Sequence, residues 1–339
     1  MSHARVGLDA RLTRQLSAGM KTYARELVAR LPHVAPEYEY VTFAAGGNFG
    51  WSEQLALPLA MRGAKLDVVH FLSQYVPLWL PPRFAVTIHD LIHLRFPEHF
   101  KAKVGPYYAT VVRHACARAA RVITDDVRTV GDLEALLGVD PAKVRVIPLG
   151  VNERFFEPAV PHMPARRYLF YVGNHRRHKD LATLFEAWSH LPPAWDVDLY
   201  VTGPDDFGGE LQQRSRLNRA IVALGDVPVE RLVSYYAGAA ALVQPALREG
   251  FGLPMLEAMA AGCAVVACED AVPAALRPAV LTFPARDAAA LRGVLERILS
   301  DEGLRAGIIN TGREIARELT WDRSARATAD VYAEILEER

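Results

Sequence analysis

Short β-branched runs alternate with longer amphipathic stretches from one end of the chain to the other. Near-continuous apolar runs occur at RVGLDA (5–10), YEYVTFAA (38–45), LDVVHFL (66–72), AVTIHDL (85–91), RVITDD (121–126) and VRVIPLGV (144–151). This character predicts parallel strands covered on both faces, since a strand with one wet face would alternate strictly. Helical spacing fills the intervals, for instance at 19–31, 102–119 and 127–137. The same grammar returns at YLFYVGN (168–174), VDLYVTGP (197–204), AALVQPA (240–246) and AVVACED (264–270), each followed by a helical stretch. The expected fold class is α/β, with two doubly wound parallel-sheet domains.

The periodicity breaks at NERFFEPAVPHMPARR (152–167), where three prolines interrupt helical and strand spacing alike. A proline-rich connector between two sheets reads as a linker, which places domains at 1–155 and 165–320. The tail 321–337 is a further amphipathic helix with no strand behind it.

Half the residues are apolar, and 39 basic side chains balance 39 acidic ones. A neutral total removes the simplest argument for nucleic acid as a partner. No apolar leader core precedes the first strand, and no stretch has the length of a bilayer span. Cys116, Cys263 and Cys268 are scattered, odd in number and without metal-ligand spacing. They suit buried small residues in a reducing compartment, so a cytoplasmic protein is expected.

The stretch REGFGLPMLEAMAAG (248–262) carries the clearest chemistry. Open parallel sheets bind ligands at the carboxyl ends of their strands, and AALVQPA ends just before it. Gly250 and Gly252 permit a sharp turn and close approach of the backbone, while Pro254 fits a first helical turn. The free amides at that helix start, with its dipole, form an anion site suited to phosphate. Glu249 and Glu257 can accept hydrogen bonds from hydroxyls on either side of such a phosphate, which is the layout of a nucleotide sugar. An ordinary helix start with two solvated glutamates needs neither glycine. YVGNHRRHKDL (171–181) adds Gly173, Arg176, Arg177, His178 and Lys179, a cluster of cations before another helix. Gly19 follows the first strand, and His89 and Asp90 end the strand AVTIHDL.

EGFGLPMLE resembles the E-x7-E motif of retaining glycosyltransferases of the GT-B fold, the group often called family 4. SAGMKTY (17–23), TIHDLIHLRFPEHF (87–100), KVRVIPLGVNERFF (143–156), YVGNHRRHKDL (171–181) and LGDVPVERLVSYYAGA (224–239) resemble its other segments in the expected order. The resemblance implies two Rossmann-like domains facing each other across a cleft, with the 321–339 tail returning to the first. It implies donor binding by Gly19, Gly173, Arg177, His178, Val227, Gly250, Phe251, Gly252, Leu253 and Glu257. Lys179 would neutralise the leaving diphosphate, Glu249 would hold the transferred sugar, and Glu257 the ribose. His89 would meet the sugar or the incoming hydroxyl, with Asp90 fixing its loop. His178 stands where the family usually has arginine, and Arg177 can take over that charge. No cofactor and no metal are implied beyond the nucleotide-sugar co-substrate. The style of the loops is similar to that of O-antigen and exopolysaccharide enzymes, which makes GDP-mannose the expected donor. A UDP-hexose donor and a non-catalytic nucleotide-sugar-binding homologue are the alternatives. The acceptor would be a glycan or a lipid-linked one, reached at the inner face of a membrane.

Three further signals are set aside. His89 and His93 have the spacing of a zinc pair but lack a third ligand. Asp196 and Asp198 open a strand, and Gly203–Asp206 reads as a turn. YVPLWLPPRF (75–84), too irregular for a strand interior, reads first as a buried loop and second as a contact for a lipid-linked acceptor with Lys101 and Lys103.

Overall fold

A computed structural model of the chain describes residues 3–11, 16–47, 50–100, 102, 104–192, 194–203 and 220–338. It divides into two units, Met1–Gly150 with Leu319–Arg339, and Val151–Glu318.

The first unit is built on β1 (Ala4–Asp9), β2 (Tyr38–Phe43), β3 (Val68–Phe71), β4 (Phe84–Thr87), β5 (Arg121–Thr124) and β6 (Val144–Val146). They lie in the order β2-β1-β3-β4-β5-β6, all parallel. The second unit carries β7 (Arg167–Tyr171), β8 (Val197–Val201), β9 (Ile221–Ala223), β10 (Ala241–Gln244), β11 (Val265–Cys268) and β12 (Val280–Phe283). Their order is β12-β11-β10-β7-β8-β9, again all parallel. Strands β3, β4, β8, β10 and β11 are buried along their whole length, which is why their sequences do not alternate. The sequence pattern missed β9 and β12. Both are edge strands of the second sheet and keep partly exposed residues, so their apolar signal is diluted.

The helix expected at 19–31 runs Ala18–Val34 and starts at Ser17, whose side chain accepts the Met20 N–H at 3.3 Å. The tail helix, Trp321–Glu337, packs within the first unit and buries Trp321 and Tyr332. Arg121 and Arg145 from the sheet both bind its Glu334, and Arg30 binds Asp322 at 2.6 Å. The three cysteines are buried and unpaired.

The proline-rich segment 152–167, read as a linker, is docked on the second unit. A single turn, Glu153–Phe156, buries Phe155, whose ring lies 6.0 Å from that of Tyr236. The His162 N–H donates to the Ser234 carbonyl at 2.9 Å, and its ring sits among Tyr168, Tyr200 and Tyr235. The prolines stop regular hydrogen-bond ladders but do not stop the segment from docking on its own unit. Segment 75–84 also departs from a buried loop: Val76, Leu80 and Phe84 are inside, whereas Leu78 and Trp79 are exposed. Lys101, Lys103 and Pro204–Asp206 lie outside the described residues.

Candidate active site

In the second sheet β7 has its successor β8 on one side and β10 on the other. Connections therefore diverge between β7 and β10, and the loops behind those two strands open a crevice where open α/β sheets bind ligands. The residues picked from the sequence fall on these two loops. Gln244 ties them together, its Nε2 donating to the Val172 carbonyl at 2.7 Å. The Leu247 N–H donates to the carbonyl of His178 at 2.8 Å.

Behind β7, the Gly173 N–H donates to Thr202 Oγ1 at 3.0 Å. A short turn, Arg177–Lys179, then leads to Asp180, which takes a left-handed conformation and begins the helix Leu181–Ser189. The turn sorts the basic residues. His178 is buried, Arg177 is exposed, and Lys179 lies between them in exposure. The imidazole is thus turned inward, and Arg177 is the exposed side chain able to bring a permanent charge.

Behind β10, Gly252 adopts φ +73°, ψ +51° and starts the helix Leu253–Ala261 with Pro254 in its first turn. A side chain at Gly252 would strain the backbone, and its Cβ would lie 2.2 Å from Met255 Cε. Glu249 folds back toward the loop behind β7. The Glu249 Oε1 accepts from Lys179 Nζ at 2.5 Å, with both side chains only 13% exposed. Not all of the amides expected at this helix start are available. Pro254 has no N–H, and the Met255 N–H already donates to the Gly252 carbonyl at 2.9 Å. Gly252 and Leu253 keep the amides suited to an anion. Phe251 is buried, while Gly250 and Val227 are partly exposed.

Glu257 sits one turn into that helix, and the Tyr236 hydroxyl donates to its Oε2 at 3.0 Å. The residue keeps some contact with solvent, but protein atoms crowd its carboxyl. Desolvation pushes it up from 4.5 to about 7, and the Tyr236 hydrogen bond offsets only part of that rise. A carboxyl near half-ionisation at neutral pH changes charge easily when hydroxyl donors arrive.

In the first unit His89 follows β4 and is 6% exposed. Its Nδ1 lies 2.6 Å from Asp125 Oδ2, behind β5. Asp90 accepts the Ile92 N–H at 3.0 Å and so shapes the loop. Gly19 stands in the first turn of the helix Ala18–Val34 rather than in a loop before it. His93 approaches Tyr108 at 3.3 Å, Arg166 contacts Asp196 at 3.1 Å, and the Ala220 N–H donates to Asp198 at 2.8 Å. Among the described residues no group of three or more His, Cys, Asp or Glu side chains could hold a metal ion.

Sequence reasoning overlooked Asp125, Tyr236 and Gln244. Asp125 and Gln244 were visible as polar residues ending apolar strands, RVITDD and AALVQPA. Tyr236 gave no signal, because an aromatic on a helix reads as core.

Comparison with known proteins gives the family. A family model described as Glycosyltransferase Family 4 matches residues 18–155, and one described as Glycosyl transferases group 1 matches 166–301. The chain belongs to the group 1, family 4 glycosyltransferases. It is 31% identical over 245 residues to a D-inositol 3-phosphate glycosyltransferase of Streptomyces bingchenggensis, covering 64% of this chain and 53% of that one. The chain thus spans about half the length of that relative. It is 25% identical over 294 residues to O-antigen chain mannosyltransferase B of Escherichia coli, covering 80% of this chain and 76% of the relative. Sucrose-phosphate synthase from Thermosynechococcus elongatus superposes with a TM-score of 0.76 at 20% identity, over 99% of this chain and 100% of that one. That likeness shows the fold, and the two parallel sheets are those of GT-B glycosyltransferases.

Proposed function

We propose that the protein is a retaining glycosyltransferase that moves mannose from GDP-mannose, or a related GDP-sugar, to a glycan or lipid-linked acceptor of a cell-surface polysaccharide. One observation carries the reading: Lys179 and Glu249 meet at the start of the helix Leu253–Ala261, with Glu257 one turn behind. The diphosphate lies at the Gly252 and Leu253 amides beside Lys179 and Arg177. Glu257 takes the ribose hydroxyls, and Glu249 the hydroxyls of the sugar. The bond from the sugar C1 to the diphosphate oxygen breaks on the face where the acceptor oxygen bonds to C1. The acceptor's proton passes to the departing phosphate, so charge gathers where Lys179 stands. His89 serves the transferred sugar or the incoming hydroxyl. The Escherichia coli relative, named as a mannosyltransferase, supports the choice of sugar.

An exposed apolar face supports an acceptor held at a membrane. Trp51, Leu55 and Leu59 recur every four residues along the helical run Ser52–Ala56 and Leu57–Gly63. The Leu78 N–H donates to Gln54 at 2.9 Å, which brings Leu78 and Trp79 beside them. Arg62, Lys65 and Arg83 line the same hollow as Trp79, giving the face a basic rim. No helix among the described residues is long and apolar enough to cross a membrane.

A thermal-shift panel of GDP, UDP and ADP tests the donor. The correct nucleotide at one hundred times its dissociation constant adds about 2.7 kcal/mol of stability. Product NMR then reads the anomeric configuration, expected to match the donor's. No shift with any nucleoside diphosphate overturns the proposal.

A further inference from the structure

Two acids follow β5 in series, and the structure gives them different tasks. Asp126 caps the next helix, accepting the Arg128 N–H at 3.0 Å. Asp125 reaches instead toward the end of β4, where its Oδ2 lies 2.6 Å from His89 Nδ1. An ionised carboxylate only accepts, so Nδ1 carries a proton and donates it. The other ring nitrogen, Nε2, is buried and makes no well-aligned hydrogen bond, with only the Leu72 backbone near the ring. The ring cannot swing away, because the edge of Tyr23 meets it at 4.7 Å and 86°. Tyr23 is in turn held by Thr87 at 2.9 Å, Thr87 by His70 at 2.8 Å, and His70 by Tyr332 of the tail helix at 2.8 Å.

We infer that Asp125 is a positioning residue for His89, holding it as the imidazolium whose Nε2–H donates to an oxygen of the substrate. The inference rests on the reading of His89 as a residue of the transfer reaction. A buried donor left without a partner is costly, and ligand sites are where such a cost is kept.

The charges around the ring agree. Asp125, with Asp126 behind it, faces His89 from β5, Asp90 stands beside it, His70 faces it from β3, and Tyr23 from the Ala18–Val34 helix. Burial pushes His70 down to about 3, and the charge on His89 adds to that fall, so His70 is neutral. Tyr23 is held protonated by burial. Burial is the largest single influence on His89 and lowers it, but the Asp125 carboxylate, with Asp90 and the Leu72 backbone, together hold the imidazole above its ordinary value, while the same burial pushes Asp125 up. A proton acceptor would need the neutral ring; this surrounding favours a donor.

The test uses the full chain with ¹⁵N-labelled histidines, His89 being assigned by comparison with His89→Gln. In the wild type the His89 ring should keep both protons to above pH 6.5. Asp125→Asn should drop its pKa below that of free imidazole, and Asp125→Glu should keep it raised. The ratio of Asp125→Asn to wild-type kcat should rise by roughly tenfold as pH falls from 8 to 6, as the lost proton is restored. The ratio cancels any titration common to both proteins. A His89 pKa unchanged in Asp125→Asn, or a kcat ratio flat with pH, overturns the inference. Should that variant not fold, a wild-type His89 that loses its proton below pH 6.5 overturns it as well. If the wild type transfers no sugar from any donor, the transferase reading fails, while the titration still judges the pair.

Discussion

Lys179 Nζ and Glu249 Oε1 are 2.5 Å apart although 70 positions separate them in the chain. The contact joins the two loops at the point where the second sheet changes direction. Each side chain is nearly enclosed, so removing one leaves a poorly solvated charge on the other. Such a loss costs on the order of 3–5 kcal/mol in a fully buried pair, and less here.

Lys179→Ala should therefore lower both the thermal midpoint and turnover, the latter by about 100-fold or more. Lys179→Ala with Glu249→Gln separates the two effects. The double variant should recover most of the lost midpoint, because no charge is stranded, and none of the lost turnover. Turnover near wild type in either variant would remove Lys179 from the chemistry.

Glu257 links pH to both stability and binding. Its folded pKa of about 7 exceeds the ordinary 4.5. The protonated form is favoured by folding, so its contribution is fully present below 4.5 and lost as pH rises through about 7. Glu257→Gln removes that loss, and its thermal midpoint should exceed the wild type's at pH 8 and match it near pH 4.5. Nucleotide binding should run the other way. Ribose hydroxyls donate to the ionised form, so wild-type affinity for the nucleoside diphosphate rises from pH 6 to 8. In Glu257→Gln the affinity should be weaker and flat with pH by calorimetry. Equal affinity of the two proteins at pH 8 means that Glu257 does not hold the ribose.

Much of this arrangement was legible in the chain. Buried parallel strands announce themselves by unbroken apolar runs, and a glycine-proline turn before a helix announces an anion site. Less legible was what crosses between loops. Nothing local in HRRHKD says that His178 turns inward and Arg177 outward, or that the His178 carbonyl takes the Leu247 amide 69 residues away. Asp125 lies 36 residues from His89, and only the parallel pairing of β4 with β5 makes them neighbours. The docking of 152–167 was illegible for the same reason, because Phe155 and His162 find their partners far along the chain.

Turnover should persist in EDTA. Lys179, Arg177 and the amides of Gly252 and Leu253 can together balance a diphosphate without a divalent ion. Activity lost on chelation and restored by manganese or magnesium would assign the charge balance to a metal.

The apolar face on the first unit predicts a surface preference. Trp51 is 81% exposed and Leu59 68%, more than isolated surface residues need explain when they share one stripe. The protein should pellet with phosphatidylglycerol vesicles and far less with phosphatidylcholine ones. Changing Trp51, Leu55 and Leu59 to serine should release it from the vesicles without lowering the thermal midpoint. A wild type that ignores both vesicles, or that forms a dimer broken by the same changes, assigns the stripe to another partner.

Gly150 tests how the tail helix is seated. A Cβ at this position would lie 2.1 Å from the Trp321 nitrogen and 2.4 Å from the Thr320 carbonyl carbon. Both are backbone atoms at the start of the Trp321–Glu337 helix, so no side-chain rotation relieves the clash. Gly150→Ala should lift that helix start and disturb both the packing of Trp321 and the bond from Ser324 Oγ to the Pro148 carbonyl at 2.6 Å. Overpacking of this kind costs about 1–3 kcal/mol. Gly131→Ala is the matched control, for nothing lies within 4 Å of its Cβ and it sits in a helix. That change should be neutral or stabilise slightly, since alanine favours a helix over glycine by up to about 1 kcal/mol. Hydrogen exchange should then show faster amides over 321–335 in Gly150→Ala alone. Equal protection in both variants would mean that the tail helix seats without needing the gap that Gly150 leaves.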